Sequence, residues 1–554
     1  MTPTAISTAK ERQLDWLLGD VLGGSRTEPR HRRSAVPARP WLAAAVAVFA
    51  LAAAIGTALL QSHDERAAIQ EPAPDVPWRE CHGPGELATL PADVRALRCF
   101  DFDDAACARL VRFPELEYLD LSGTDVNDQG YSVSLQIGDD GVQALAPLTN
   151  LRWLSLATCH ALRGTGLQVL EAMPRLEHLD LTYSGVESPA IERLPRLVAL
   201  RSLVLSHCMN FHGRSLAAVA SLPGLRRLEL RACTTLAAKD VLAVVRLKEL
   251  RHLDLRDCQG SFRGQTASGF DANGAEEPPP PPVQDGIGIT DDVVAALAAL
   301  PLQSLLLGGS ESLTDAIGEP LARMTTLRVL DLSNLPKTSG ALLANLPGRL
   351  ESLVLDDNAQ WTAAALRRLP PLPHLHELGL AALPNLDDAT LHALLLGKQL
   401  HTLRVGGSAN PGKVGRGDRQ PPAPSLTGAA IEAITAQRQL ERLAVDHDTT
   451  WLRATGFERL ATMPKLRELD LTAAHHVGDA ELAALAASRS LQVLDLRWCA
   501  GVRGKALATL AALPLRELNL YGTPCDAGAV RELLGRHWPA CVVTMPNGTR
   551  YRAP

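Results

Sequence analysis

Large rings are scarce in this chain: 8 Trp, 5 Tyr and 8 Phe among 554 residues. Clusters of aromatics therefore cannot anchor several separate cores. Neither sign of charge prevails, with 55 Lys and Arg against 61 Asp and Glu, a net charge of −6 and 21% charged residues. That balance excludes a strongly basic nucleic-acid binder and a wholly disordered chain. The common catalytic signatures are missing as well: there is no G-x-S-x-G elbow, no H-E-x-x-H and no G-x-G-x-x-G after a strand. What is abundant is aliphatic, a 46% hydrophobic share carried by Leu, Ala and Val. At roughly 100–200 residues per domain the length suggests three or four domains. A long, Leu-rich, aromatic-poor chain suggests instead one simple unit repeated many times.

Trp41 to Leu60 (WLAAAVAVFALAAAIGTALL) holds twenty residues without a charge. At about 1.5 Å rise per residue this is a helix of about 30 Å, the thickness of a bilayer's hydrocarbon core. Arg30, Arg32, Arg33 and Arg39 precede it, and Asp64 and Glu65 follow. The positive-inside rule then places residues 1–40 in the cytoplasm and everything after Gln61 outside it. A cleaved signal peptide is the alternative, but the leader and the apolar run are both long for one. Ser34, Ala35 and Val36 do not extend Arg32-Arg33 into a twin-arginine signal. The expected order is a cytoplasmic stub (1–40), a transmembrane helix (41–61) and a Pro-rich spacer (62–80). Within the stub, Glu11 to Leu22 is amphipathic, suited to docking on a cytoplasmic partner or on the membrane surface, or else a weakly ordered tail.

From residue 116 the pattern L-x-x-L-x-L recurs, beginning at Leu116, Leu151, Leu176, Leu200, Leu225, Leu250, Leu302, Leu327, Leu350, Leu375, Leu400, Leu440, Leu466, Leu491 and Leu515. These fifteen copies contain 45 framework positions, of which 43 are Leu and two are Val (Val405 and Val445). Leu97 to Phe102 resembles a degenerate earlier copy. Successive copies are 23 to 26 residues apart except at three places, where the spacing is 35, 52 and 40. Each exception contains an insertion, near 127–140, 259–286 and 406–425. All three leave the repeat at one phase, so they should emerge from one rim. The second holds five consecutive prolines, 278–282, which cannot join a sheet.

The L-x-L core alternates with period two and predicts a short strand. About ten residues later comes an apolar stretch with helical spacing, such as Asp291 to Leu300, preceded by residues suited to N-capping. One strand and one helix per turn give an α/β solenoid, with a parallel sheet on the concave face and helices on the convex face. No unit buries its apolar side alone, so neighbours supply the core. The array should run over 116–535, after a cap and degenerate repeat at 81–115 and before a C-terminal cap at 536–554.

This pattern resembles leucine-rich repeats of the cysteine-containing, ribonuclease-inhibitor-like kind, over roughly residues 94–545, in a membrane-anchored protein of bacterial type. In that family the residue eight after the first Leu is often an inward-turned Cys or Asn that bonds the loop backbone. Cys159, Cys208, Cys233, Cys258, Cys499 and Asn358 fall at that phase, Thr124, Ser184, Ser310, Ser408 and Thr523 substitute, and Leu335, Leu383 and Ala474 depart from it. Similar repeats occur in ubiquitin-ligase adaptors, but no F-box segment precedes the array. The remaining cysteines lie at the two ends. Outside the cytoplasm disulfides are permitted, which makes Cys525 with Cys541, and one pair among Cys81, Cys99 and Cys107, candidate bridges.

Several motifs are better explained without chemistry. Gly407 to Lys413 fits seven positions of a phosphate-binding loop, but Val414 stands where a hydroxyl should bind Mg²⁺, and no helix follows. Arg416-Gly-Asp418 in the same loop is a tripeptide that recurs by chance. His207-Cys208 and His212 lack a second cysteine at zinc-ligand spacing, and His475-His476 is an adjacent pair on a loop. No cofactor, metal or catalytic residue is expected, and no enzyme activity.

The expected ligand surface is the concave face, onto which residues one, two, four and six after the first Leu should project. Position four is acidic in Asp120, Asp180, Glu229, Asp254, Asp331, Asp470 and Asp495. Acidity there is ordinary for the repeat and reads as a solvated face. Beside it, Arg226, Arg227, Arg231, Arg251, His252 and Arg256 join Glu229 and Asp254 in a charged patch suited to a charged protein or peptide. Arg497, Trp498, Arg516 and Tyr521 form a second candidate, since Tyr and Arg are favoured anchors. The leading expectation is a single-pass membrane protein that binds a protein or peptide through this face, with no nucleic-acid partner. The alternatives are a transmembrane regulator acting through Glu11–Leu22, and an intracellular adaptor.

Overall fold

The computed structural model describes residues 74, 76–122, 137–258, 288–407, 424–447, 451–538 and 540–552. The chain divides into two compact units, 1–50 and 51–554, and all described residues lie in the second. The stub, the apolar segment 41–60, most of the spacer, the bulk of the three insertions, residues Ser408–Lys413 of the phosphate-loop match and the Arg416–Asp418 tripeptide lie outside them. No helix among the described residues is long and apolar enough to cross a membrane.

Each L-x-x-L-x-L copy forms a strand over positions two to four after the first Leu. Strand β1 is Arg79–His82, β2 is Ala96–Phe100 and β3 is Tyr118–Asp120. Fourteen further strands of three residues follow, ending with β17 (Glu517–Asn519). Neighbours in sequence are neighbours in the sheet, all parallel, with the central leucines in register from Leu119 and Leu154 to Leu494 and Leu518. Leu97 pairs with Leu119, so the degenerate first copy begins at Val94, three residues earlier than its spacing suggested. The framework leucines turn away from the open face and are almost wholly buried. The sheet closes with β18 (Val542–Thr544), parallel to β17, and β19 (Arg550–Arg552), antiparallel to β18. Short helices and 3-10 turns cover the other face.

The strand ends at a left-handed residue. Every non-glycine residue with positive φ among the described residues sits seven after the first framework position, from Asp101 to Trp498, with φ between 49° and 64°. This conformation costs an L-residue about 1–2 kcal/mol. The cost is offset because the turned amide still bonds the next repeat, as His207 N–H does with the Arg231 carbonyl at 2.7 Å. One residue later stands the Cys or Asn. The thiols of Cys208, Cys233, Cys258 and Cys499 donate to the carbonyls of Leu181, Leu205, Leu230 and Leu471 at 2.8–3.1 Å. The cysteine column is therefore buried framework, as expected.

Helix-side carboxylates meet the capping expectation in part. Asp103, Asp387 and Asp526 cap their own helices. Asp104, Asp139 and Asp315 instead accept backbone N–H groups from the following repeat, those of Gly138 and Gly141, Gly164 and Gly166, and Ser339 and Leu342. They tie neighbouring turns together as well as favouring the helix start.

The proposed disulfides are not formed; all ten cysteines are free, buried thiols. Cys525 and Cys541 flank the 11-residue helix Ala527–His537, about 16 Å long at 1.5 Å per residue. The Cys525 thiol donates to the Val502 carbonyl at 3.4 Å and that of Cys541 to the Val542 carbonyl at 3.6 Å. Cys81 and Cys99 are side by side in the β1–β2 register, but the Cys81 thiol donates to the Gly83 carbonyl at 3.2 Å.

Candidate functional site

Positions two and four of each strand occupy the open face of the sheet, and position six follows at its exit edge. This face is concave: one cavity, open to solvent, is lined from Thr182 at one end to Asp470 at the other. Six of the eight residues expected in the first charged patch line it: Arg227, Glu229, Arg231, His252, Asp254 and Arg256. Arg226 and Arg251 do not. They stand one residue before their strands, Arg227–Glu229 and His252–Asp254, where the chain is still entering the sheet.

All six have close polar partners. Arg256 forks onto Asp254, with Nη2 to Oδ2 at 2.7 Å and Nε to Oδ1 at 3.1 Å, and lies 3.7 Å from Asp331. The Arg256 side chain is 12% exposed and that of Asp254 is 2% exposed. Burial opposes ionisation of Asp254, but Arg256 outweighs it and holds the carboxyl at about 2. Arg227 pairs with Glu229, and Arg231 Nε lies 3.6 Å from Asp257. His252 Nδ1 shares a hydrogen bond with Ser304 Oγ at 2.9 Å. Burial first, then Arg227, lower its pKa to about 3, so the ring is neutral.

A prediction follows from that ring. The unfolded chain protonates His252 near pH 6.5, whereas the folded chain does so only near pH 3. Its contribution is complete above 6.5 and is lost as pH falls through that window. About 2 kcal/mol should disappear from this residue between pH 7 and pH 5. Denaturant titrations of wild type and His252→Gln at the two pH values measure the difference; equal slopes for the two proteins would contradict it.

The acidic column is not a solvated face. Asp120, Asp180, Asp254 and Asp331 are buried. Six of its seven members accept the backbone N–H two residues on: Ser122 to Asp120, Thr182 to Asp180, Arg256 to Asp254, Ser333 to Asp331, Thr472 to Asp470 and Arg497 to Asp495, at 2.8–3.0 Å. These carboxylates build the turn that leads into the left-handed residue.

Across the cavity stand residues that the sequence reading missed. Arg404 Nη1 reaches Asp356 Oδ2 at 2.9 Å, and Arg442 Nε reaches Glu468 Oε2 at 2.7 Å. Between the two charged walls the floor is mixed, with Leu306, Val329, Val354 and Gly379 beside Asp331, Ser352, Glu377 and Thr402. The signal lay in positions two and four of the central repeats, where Leu306, Val329, Val354 and Gly379 interrupt the polar residues.

In the second candidate patch, Trp498 and Tyr521 pack edge to face with centroids 4.8 Å apart, and Arg497 Nε pairs with Asp495 at 2.8 Å. Arg516 is not with them. It precedes β17 while Tyr521 follows it, so the two stand at opposite ends of the strand. Cys208 is buried and His212 is exposed, which separates that motif. Among the described residues no group of His, Cys, Asp and Glu could hold a metal ion.

A strand, a left-handed exit, a buried Cys or Asn and a helix, repeated along one parallel sheet, define a leucine-rich-repeat solenoid. No family model matches the chain, and no curated protein matches it. Three solved structures are similar. One is an internalin from Listeria monocytogenes at 21% identity, covering 66% of this chain and 82% of that one, with a TM-score of 0.37. Another is the Rad7 and Elc1 complex of yeast at 17% identity, covering 64% and 78%, with a TM-score of 0.40. The third is a complex of TLR13 with single-stranded RNA at 19% identity, covering 86% and 67%, with a TM-score of 0.35. At this level of similarity none of them assigns a partner.

Proposed function

We infer that this chain is a membrane-anchored interaction module that binds a protein or peptide in the cavity of its concave face. The observation that carries this reading is the cavity: a floor on which Leu306, Val329, Val354 and Gly379 interrupt the polar side chains, between two walls of ion-paired arginines and carboxylates. Both walls are largely held in place by their own pairs, which reduces the ordering cost of binding. The floor supplies area that can be taken from water. The charged groups are committed to pairing and to backbone turns, which suits recognition better than proton transfer. The uncharged segment 41–60 and its arginine-rich flank support an anchor, with the solenoid outside the cytoplasm.

Two experiments test this. Val354→Arg, placed on the cavity floor, should reduce the protein co-purified from native cells at least tenfold while leaving the unfolding midpoint near wild type; unchanged recovery would contradict it. Protease added to intact cells or spheroplasts should digest the solenoid from outside, whereas full protection until lysis would contradict the proposed placement.

A further inference from the structure

Charge is unevenly distributed. Residues 489–552 hold nine Lys and Arg against four Asp and Glu, a net +5, so the rest of a chain with total charge −6 carries −11. The excess gathers where the only large aromatic side chain well exposed among the described residues is found. Trp498 is 47% exposed and sits at the left-handed position of its repeat, with φ +60°. Arg497 precedes it, and the exposed Arg503 and Lys505 follow in the same loop. Tyr521 meets its ring edge to face, with an interplanar angle of 68°.

The local backbone makes room for both rings. A Cβ at Gly522 (φ +71°) would collide with the Trp498 ring, and one at Gly548 (φ +91°) would lie 3.2 Å from Tyr521 Cε2. Both glycines have positive φ, so turn geometry and ring clearance favour glycine together. The result is two nearly perpendicular rings on an edge that carries three cations.

We propose that this edge binds an acidic, proline-rich peptide segment, at a site separate from the central cavity. A polyproline II rod is recognised by aromatic-lined grooves because it is stiff and loses little entropy on binding. Trp498, exposed and braced edge to face by Tyr521, offers proline an aromatic surface of that kind. The two rings do not make a parallel stack for successive nucleobases, and a chain that is −11 elsewhere repels a long polyanion. The exposed Arg503 and Lys505 supply the complement to acidic residues beside the prolines. The chain itself contains a segment of this chemistry, Asp271 to Asp285, with four carboxylates around prolines 278–282.

The test is fluorescence anisotropy of a labelled peptide, DANGAEEPPPPPVQD, titrated with the full-length chain. The expected result is saturable binding that weakens at least tenfold with Trp498→Ala and with Arg503→Glu/Lys505→Glu. Alanine already occupies the same left-handed position at Ala232, Ala382 and Ala473, and the second variant alters only exposed loop residues. A peptide carrying E276K and E277K should lose binding to the same degree, and Val354→Arg should leave it unchanged. No saturable binding, binding undiminished by Trp498→Ala, or tighter binding of an oligothymidine of similar length would overturn the proposal. Loss with Val354→Arg alone would assign the peptide to the central cavity and overturn it too.

Discussion

Replacing Arg256 with Gln should lower the stability of the solenoid by about 3–5 kcal/mol. An exposed ion pair contributes about 0–1 kcal/mol, so the size of the loss separates the two situations. Asp254 is buried and ionised, and Arg256 is the forked partner that keeps it so. Removing the guanidinium leaves the carboxylate uncompensated in the floor of the sheet. Asp254→Asn in the same chain should recover most of the loss, because Asn keeps an oxygen for the backbone N–H of residue 256 and carries no charge. Equilibrium denaturation of the two single variants and the double variant completes the cycle. A loss below about 0.5 kcal/mol for Arg256→Gln would show that the pair is solvated after all. The same result bears on any partner study: charge reversal at Arg227 or Arg256 disturbs folding before it reports on binding.

Asn358→Ala should be as costly, about 3–5 kcal/mol, because it strands several buried groups that cost about 1–3 kcal/mol each. The Asn358 amide donates to the carbonyls of Leu332 and Leu355, both at 2.9 Å, and its oxygen accepts the Leu335 N–H at 2.8 Å. The position is fully buried, so water does not replace these bonds. Asn358→Cys should cost distinctly less than the Ala variant, since a thiol at this phase bonds the preceding repeat's carbonyl in four other turns. Denaturation midpoints ordered wild type, Cys, Ala would support one interchangeable ladder; equal losses for Cys and Ala would contradict it.

The ladder was legible in the sequence because its period is fixed and its residues are few. The leucine lattice and the cysteine column were both readable from spacing. The acidic column was readable in part. Asp-Leu-Ser, Asp-Leu-Thr and Asp-Leu-Arg recur at one phase, which is the signature of a carboxylate reaching the backbone two residues on. Composition made it look like a solvated face. Arg226, Arg251 and Arg516 were misplaced because the strand spans only three residues, so position one lies before the sheet. Arg404 and Arg442 were missed because they are brought opposite Arg256 by the concavity of the whole sheet, which no single repeat encodes. The glycines at 522 and 548 looked like ordinary turn residues until the rings beside them were placed.

The most direct measurement of the central claim is site-specific photocrosslinking in native cells. A photoreactive phenylalanine analogue is introduced into the full-length chain at Ser352 or Glu377, which line the cavity, and at Val198 or Leu242, which are exposed apolar positions off it. A concave-face interaction module predicts discrete protein adducts from Ser352 and Glu377 and none from Val198 and Leu242. Adducts confined to Val198 and Leu242 would place the ligand on the other side of the solenoid and contradict the account.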